Sequence, residues 1–216
     1  MSTRNTLLLS LGLVLIEMIF SAAVYNSLPD PMASHWGLND EVNGFIARFW
    51  GAFLMPLMSL AMLGLLLVIP SIDPLKANIL RFRGIFNGFI LVMMGFLFYL
   101  HILTMLWNLG VQSFKMSSAL LPGIGLILFF AGLMLRQAKR NFFIGIRTPW
   151  TLSSDRVWDQ THRLGAILFM VSGLLAFAGG FFPGPTAFWL MFVPIIGSSI
   201  FLVIYSYILY QQETKA

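Results

Sequence analysis

The chain has 216 residues, 58% hydrophobic and 10% charged, whereas a soluble domain carries about 25% charged residues. That balance excludes a mainly soluble protein, and the absence of cysteine excludes disulfides, thiolate nucleophiles and Cys-ligated metals. The net charge of +5 would suit nucleic acid, but the cations are sorted by connector, as membrane topology requires, so no direct nucleic-acid contact is expected.

About 20 consecutive apolar residues cross a bilayer core as a helix. Six stretches reach that length, at 6–28, 49–69, 85–108, 116–135, 164–182 and 186–210, separated by polar or Gly/Pro-rich breaks such as SIDPLKANILRFRG and FFPGP. They predict an all-α integral membrane protein, a six-transmembrane-helix bundle in one membrane domain. Its parts are an N-terminal two-span module with an outer loop (1–70), spans three and four (71–135), and an inner loop with spans five and six (136–216).

Span one opens with Arg4, an apolar run and the small residues FSAA, a pattern shared with secretory leaders; Glu17 inside the run favours a retained span. Its twelve Leu, Ile, Phe and Val residues between 7 and 28 are worth roughly −4 to −7 kcal/mol on insertion. A central charge costs about 2.5–3.5 kcal/mol. The span therefore inserts with the carboxyl turned to the bundle. Glu17 is a candidate for an ion or ligand path; the alternative is a carboxyl bonded to a neighbouring helix. His101 in span three differs from it in depth by roughly 9 Å, too far for a direct hydrogen bond.

The outer loop, LPDPMASHWGLNDEVNGF, is longer than a minimal connector needs. Asp30, His35, Asp40 and Glu41 offer oxygen and nitrogen ligands for a cation or a cationic peptide, with Trp36 beside them, but their spacing matches no closed metal motif and no metal is expected. Alternatively they belong to a solvated loop shaped by Pro29, Pro31, Gly37 and Asn43-Gly44. Further on, Pro56 and Pro194 remove backbone donors inside spans two and six and should bend them. The pairs Gly84/Gly88 and Ala176/Gly180 predict close helix contacts, within one bundle or between copies in a homo-oligomer.

The inner loop, 136–163, carries six basic residues against Asp155 and Asp159. Anionic lipid attracts each cation by about 1 kcal/mol, so membrane lipids are an expected partner. Its middle reads as a folded element. Gly145 permits a tight turn, and Pro149 keeps Thr148 out of a helix. Ser153 or Ser154 caps a new helix with Asp155 in its first turn. On that helix Trp158 and His162 share a face, and Asp159 and Arg163 form an i,i+4 pair.

With the N-terminus inside, eleven basic residues lie on inner segments, and only Arg48 and Lys115 on outer ones. Both termini are therefore expected in the cytoplasm. Trp36, Trp50, Trp107 and Trp189 fall at the outer boundary, Trp150 and Trp158 at the inner, as an aromatic belt.

The stretch NFFIGIRTPWTLSSDRVWDQTHRLGA resembles the signature of the SdpI family, bacterial inner-membrane proteins named for immunity to a secreted peptide toxin. The matching positions are Asn141, Gly145, Ile146, Arg147, Thr148, Pro149, Trp150, Thr151, Trp158, Thr161 and His162. Leu28, Pro29, Asp30, His35 and Trp36 resemble the N-terminal DUF1648-like module that often accompanies it; Asp40 stands where that module often has glycine, and Ser34 replaces its usual proline. The resemblance implies an antimicrobial-peptide immunity protein whose outer loop meets the toxin. Its basic inner loop would hold a transcriptional repressor, signalling across the membrane. Arg147 would bind an anion or partner, and Trp150 and Trp158 would set the depth of the element.

Two other readings compete. A transporter or ion-conducting protein would use Glu17 and the bent spans. A membrane-embedded enzyme would have His35 and His162, but the sequence shows no nucleophile–base pair or ligand set at a defined spacing, so no enzyme activity and no cofactor are expected.

Overall fold

The structure, a computed structural model, describes residues 1–37, 39–182 and 185–215. Six long helices are apolar enough to cross a membrane. These are α1 (Thr3–Val24), α2 (Arg48–Ile72), α4 (Arg83–Asn108), α5 (Met116–Gln137), α7 (Asp155–Gly179) and α8 (Pro185–Lys215). Two short helices, α3 (Lys76–Arg81) and α6 (Pro149–Ser153), lie between spans, and two strands, β1 (Met32–Trp36) and β2 (Val42–Ile46), make an antiparallel hairpin. The molecule is a multi-pass membrane protein.

The helices begin and end where side chains replace missing backbone partners. Ser2 caps α1 by accepting from the Asn5 N–H at 3.2 Å. Asp73, 2% exposed after the end of α2, accepts from the Leu75 N–H at 2.6 Å and turns the chain into α3. At 31 residues α8 is about 46 Å long, more than the roughly 30 Å core needs, so it projects beyond the bilayer. It buries only Ala187, Leu202 and Ser206, and many of its apolar side chains, Trp189, Val193 and Ile200 among them, are exposed, as suits lipid contact.

Helix α4 packs on α1, α2 and α5, and α5 in turn packs on α7, which also holds α8. The α5–α7 seam is the tightest. A Cβ on Gly125 would lie 2.6 Å from the Gly173 carbonyl oxygen, one on Gly173 would lie 2.6 Å from the Gly125 carbonyl oxygen, and one on Gly132 would lie 2.7 Å from the Ala166 carbonyl oxygen. Backbones touch there because glycine stands on both helices. The expected Gly84/Gly88 contact is different. Gly88 has nothing within 4 Å, and Gly84 faces the Met1 nitrogen at 3.7 Å, so that pair does not join two spans. Ala176 and Gly180 do pack: Ala176 is fully buried, and a Cβ on Gly180 would meet Pro122 at 2.7 Å. Pro56 and Pro194 lie inside continuous helices, as do Pro70 and Pro122.

Side-chain bonds place both ends of the chain at one end of the bundle. Asn87 donates to the Met1 carbonyl at 3.1 Å, Asn78 to the Arg140 carbonyl at 2.8 Å, and the hydroxyls of Thr148 and Ser206 meet at 3.1 Å. The hairpin occupies the opposite end, clamped by α4. Asn108 accepts from the Ala33 N–H at 2.8 Å and donates to the Ala33 carbonyl at 3.0 Å.

Candidate functional site

The arginine-rich end carries a knot of hydrogen bonds between Ala138 and His162. Asn141, fully buried, closes its first turn: its carbonyl oxygen accepts from the N–H groups of Phe143 (2.9 Å) and Ile144 (2.6 Å). Its amide donates to the carbonyls of Lys139 (2.9 Å) and Ile144 (2.8 Å). Asn therefore uses both halves of its side chain, which no apolar residue could replace. Gly145 follows with φ +121°, in the left-handed region that favours glycine, and a Cβ there would strike His162 and Trp158.

His162 is the centre of the knot. Its Nε2 accepts from the Ile146 N–H at 3.0 Å, and its Nδ1–H donates to the Trp158 carbonyl at 2.8 Å. Those two bonds assign the Nδ1–H tautomer. The imidazole stacks on Trp158 at 3.9 Å and 16°. Trp158 is fully buried and donates from Nε1 to the Ala138 carbonyl at 2.9 Å. It is thus a core pillar whose indole N–H finds a protein partner. Trp150 is half-buried against Tyr207 of α8 at 5.0 Å.

Thr148, Pro149 and Thr151 build the entry to α6. Thr148 accepts from the Thr151 N–H at 3.1 Å, and Thr151 Oγ1 accepts from the Thr148 N–H at 2.9 Å. This is a capping box with proline in the first turn. The cap of α7 is Ser154, not Ser153; it accepts from the Val157 N–H at 3.2 Å. Thr161 is fully buried, and its hydroxyl has no partner among the described residues. Asp159 pairs with Lys139 at 3.2 Å, in correction of the expected Arg163 pairing. Cross-helix geometry brought a second cation closer than the helical neighbour.

Arg147 is exposed and donates to the Phe142 carbonyl at 2.8 Å; Phe142 and Phe143 are exposed beside it. The sequence reading missed Asp73, whose second oxygen accepts from the Phe142 N–H at 2.8 Å and ties the knot to the α2–α3 turn. Its only signal was an acid next to proline in the 70–76 connector.

At the other end the four outer polar residues separate. Asp30 accepts from the Arg48 N–H at 3.2 Å at the start of α2. Asp40 takes both the N–H and the hydroxyl of Ser117 at 2.7 Å, tying the hairpin tip to the start of α5. Its φ is +64°, the left-handed conformation that explains why a glycine suits the position. His35 pairs with Asn43, Glu41 is exposed, and Trp36 meets Trp107 edge-on at 5.4 Å. No three metal-ligating groups come together among the described residues. Below the hairpin lies a mainly apolar cleft of about 380 Å³, walled by Trp36, Trp50 and His101.

Glu17 is fully buried. It accepts from Ser59 of α2 at a long 3.4 Å, and its second oxygen has no partner among the described residues. One turn outward, Ser21 donates to the Ala52 carbonyl at 2.6 Å and accepts from His101 Nε2 at 3.0 Å. Ser21 is thus the side chain on α1 that meets His101.

Residues 137–206 match the SdpI/YfhL protein family, and residues 12–60 match a domain of unknown function, DUF1648. The chain is 26% identical over 207 residues to the immunity protein SdpI of Bacillus subtilis (strain 168), covering 95% of this chain and 96% of that protein. No solved structure matches the chain.

Proposed function

We propose, from the match of residues 137–206 to the SdpI/YfhL protein family, that the chain is a bacterial membrane protein that gives immunity to a secreted antimicrobial peptide, by recognition and not by covalent chemistry. The observation that carries this reading is the end-to-end match to an immunity protein. The two ends of the bundle have the parts it needs. The hairpin end presents a compact surface over an apolar cleft, suited to meeting a hydrophobic peptide from outside. The opposite end, with both chain termini, faces the cytoplasm by its excess of Lys and Arg.

The finer part of the proposal concerns signalling. Arg147 is exposed and bonded to the Phe142 carbonyl, and Phe142 and Phe143 are exposed on the same loop. An exposed arginine on a loop that also exposes two aromatic side chains suits protein docking, and a transcriptional repressor held there would couple immunity to gene expression. Arg147→Ala removes only surface contacts, so the protein should reach the membrane at the normal level. Cells carrying it are expected to lose repressor recruitment, read as the membrane-bound fraction of the repressor, while the knot stays folded. Unchanged recruitment at normal expression removes the docking role.

A further inference from the structure

At the arginine-rich end a cleft of about 790 Å³ opens between the end of α5 and the first turns of α7. Its rim carries Arg136, Lys139, Arg156 and Arg163, and its one carboxylate, Asp159, is already paired with Lys139. The three arginines are exposed and make no side-chain hydrogen bond or ion pair among the described residues. Below the rim the walls turn apolar, with Ile167 and Met170 running down α7 into the span. Ile167 is 52% exposed, so the apolar wall is open sideways to the bilayer. Arg147, Phe142 and Phe143 do not line the cleft, which is therefore separate from the proposed docking surface.

We propose that this cleft is a binding site for one anionic phospholipid, with the phosphate among Arg136, Arg156 and Arg163 and an acyl chain along Ile167 and Met170. Charge and hydrophobicity change in the same direction and at the same depth as in such a lipid. Three guanidinium groups at the end of two spans match a phosphodiester that lies at the membrane boundary. Basic pockets between spans recognise anionic headgroups in this way. A soluble phosphate would satisfy the rim but would leave the open apolar wall without a partner. The lipid would also bridge α5 and α7 at the base of the knot, since His162 lines the same cleft.

The test uses the full chain purified in detergent. Phosphatidylglycerol, phosphatidylcholine with the same acyl chains, or inorganic phosphate is added, and bound lipid is counted by native mass spectrometry alongside the thermal unfolding midpoint. Phosphatidylglycerol should be retained and should raise the midpoint; phosphatidylcholine and phosphate should do neither. Arg136→Gln with Arg163→Gln should weaken retention about thirty-fold, from the loss of two cations near the headgroup, while Arg4→Gln leaves it unchanged. Both arginines are exposed, and a normal circular dichroism spectrum separates lost binding from lost folding. Equal retention of the two lipids, a midpoint shift reproduced by phosphate alone, or full retention by the double variant would each overturn the site. Protection from toxin is not part of the readout, so its failure and the failure of the immunity reading are told apart.

Discussion

Glu17 shows how much one residue can ask of its surroundings. A carboxyl at full burial has one long bond to Ser59 and one oxygen without a partner among the described residues. Burying such a group without a full set of bonds costs free energy, and intramembrane acids are retained chiefly where they serve a function. Glu17→Gln keeps the size and the acceptor toward Ser59. If immunity rests on recognition at the two ends, the variant should fold, insert and protect cells as the parent does. Proton flux into proteoliposomes that vanishes with this substitution, in a folded protein, would instead establish the transport reading. At the same scale, Gly145 and His162 are mutually dependent: the ring occupies the space a Cβ would need.

At the scale of elements, the hairpin is the part most in need of outside help. Two five-residue strands with register irregularities around His35 are marginal alone. Three helices hold them: α4 through Asn108, α2 through Asp30 and α5 through Asp40. Asn108 satisfies both backbone groups of Ala33, which is 3% exposed. Asn108→Ala would leave an N–H and a carbonyl unpaired at about 1–3 kcal/mol each. The expected result is faster amide exchange and proteolysis confined to 28–47, with the knot around His162 unchanged. The knot itself is held differently, by a capping box, a buried Asn and a Trp–His stack within one stretch of chain, with Asp73 and Ser206 tying it to the rest of the bundle.

For the whole molecule, stability depends on the glycine seam between α5 and α7. Gly173→Ala puts a methyl group 2.6 Å from the Gly125 carbonyl and the Phe129 nitrogen, where only backbone could move. Overpacking of this kind costs about 1–3 kcal/mol. Gly88→Ala meets nothing within 4 Å and should be neutral or slightly stabilising, by the roughly 0.8–1.0 kcal/mol advantage of alanine in a helix. Thermal unfolding in detergent compares the two. Equal midpoints for both variants would mean that the seam does not carry the stability of the bundle.

Hydrophobic run length determined the six spans by itself, because a lipid solvent leaves the backbone only helical solutions here and apolar length then decides what crosses. The ordered inner element was legible too: turns and caps are written in adjacent residues, so Gly145, Thr148, Pro149 and Ser154 could be read locally. Contacts between distant segments could not. The hairpin was invisible because its strands are short and are paid for by Asn108, some 75 residues away. Which glycines form a seam depended on which faces of α5 and α7 meet, and both Gly88 and Gly173 look alike in a sequence. The same is true of the basic cleft: the chain lists its arginines one by one, and only the packing of α5 against α7 sets three of them around one opening above an apolar wall.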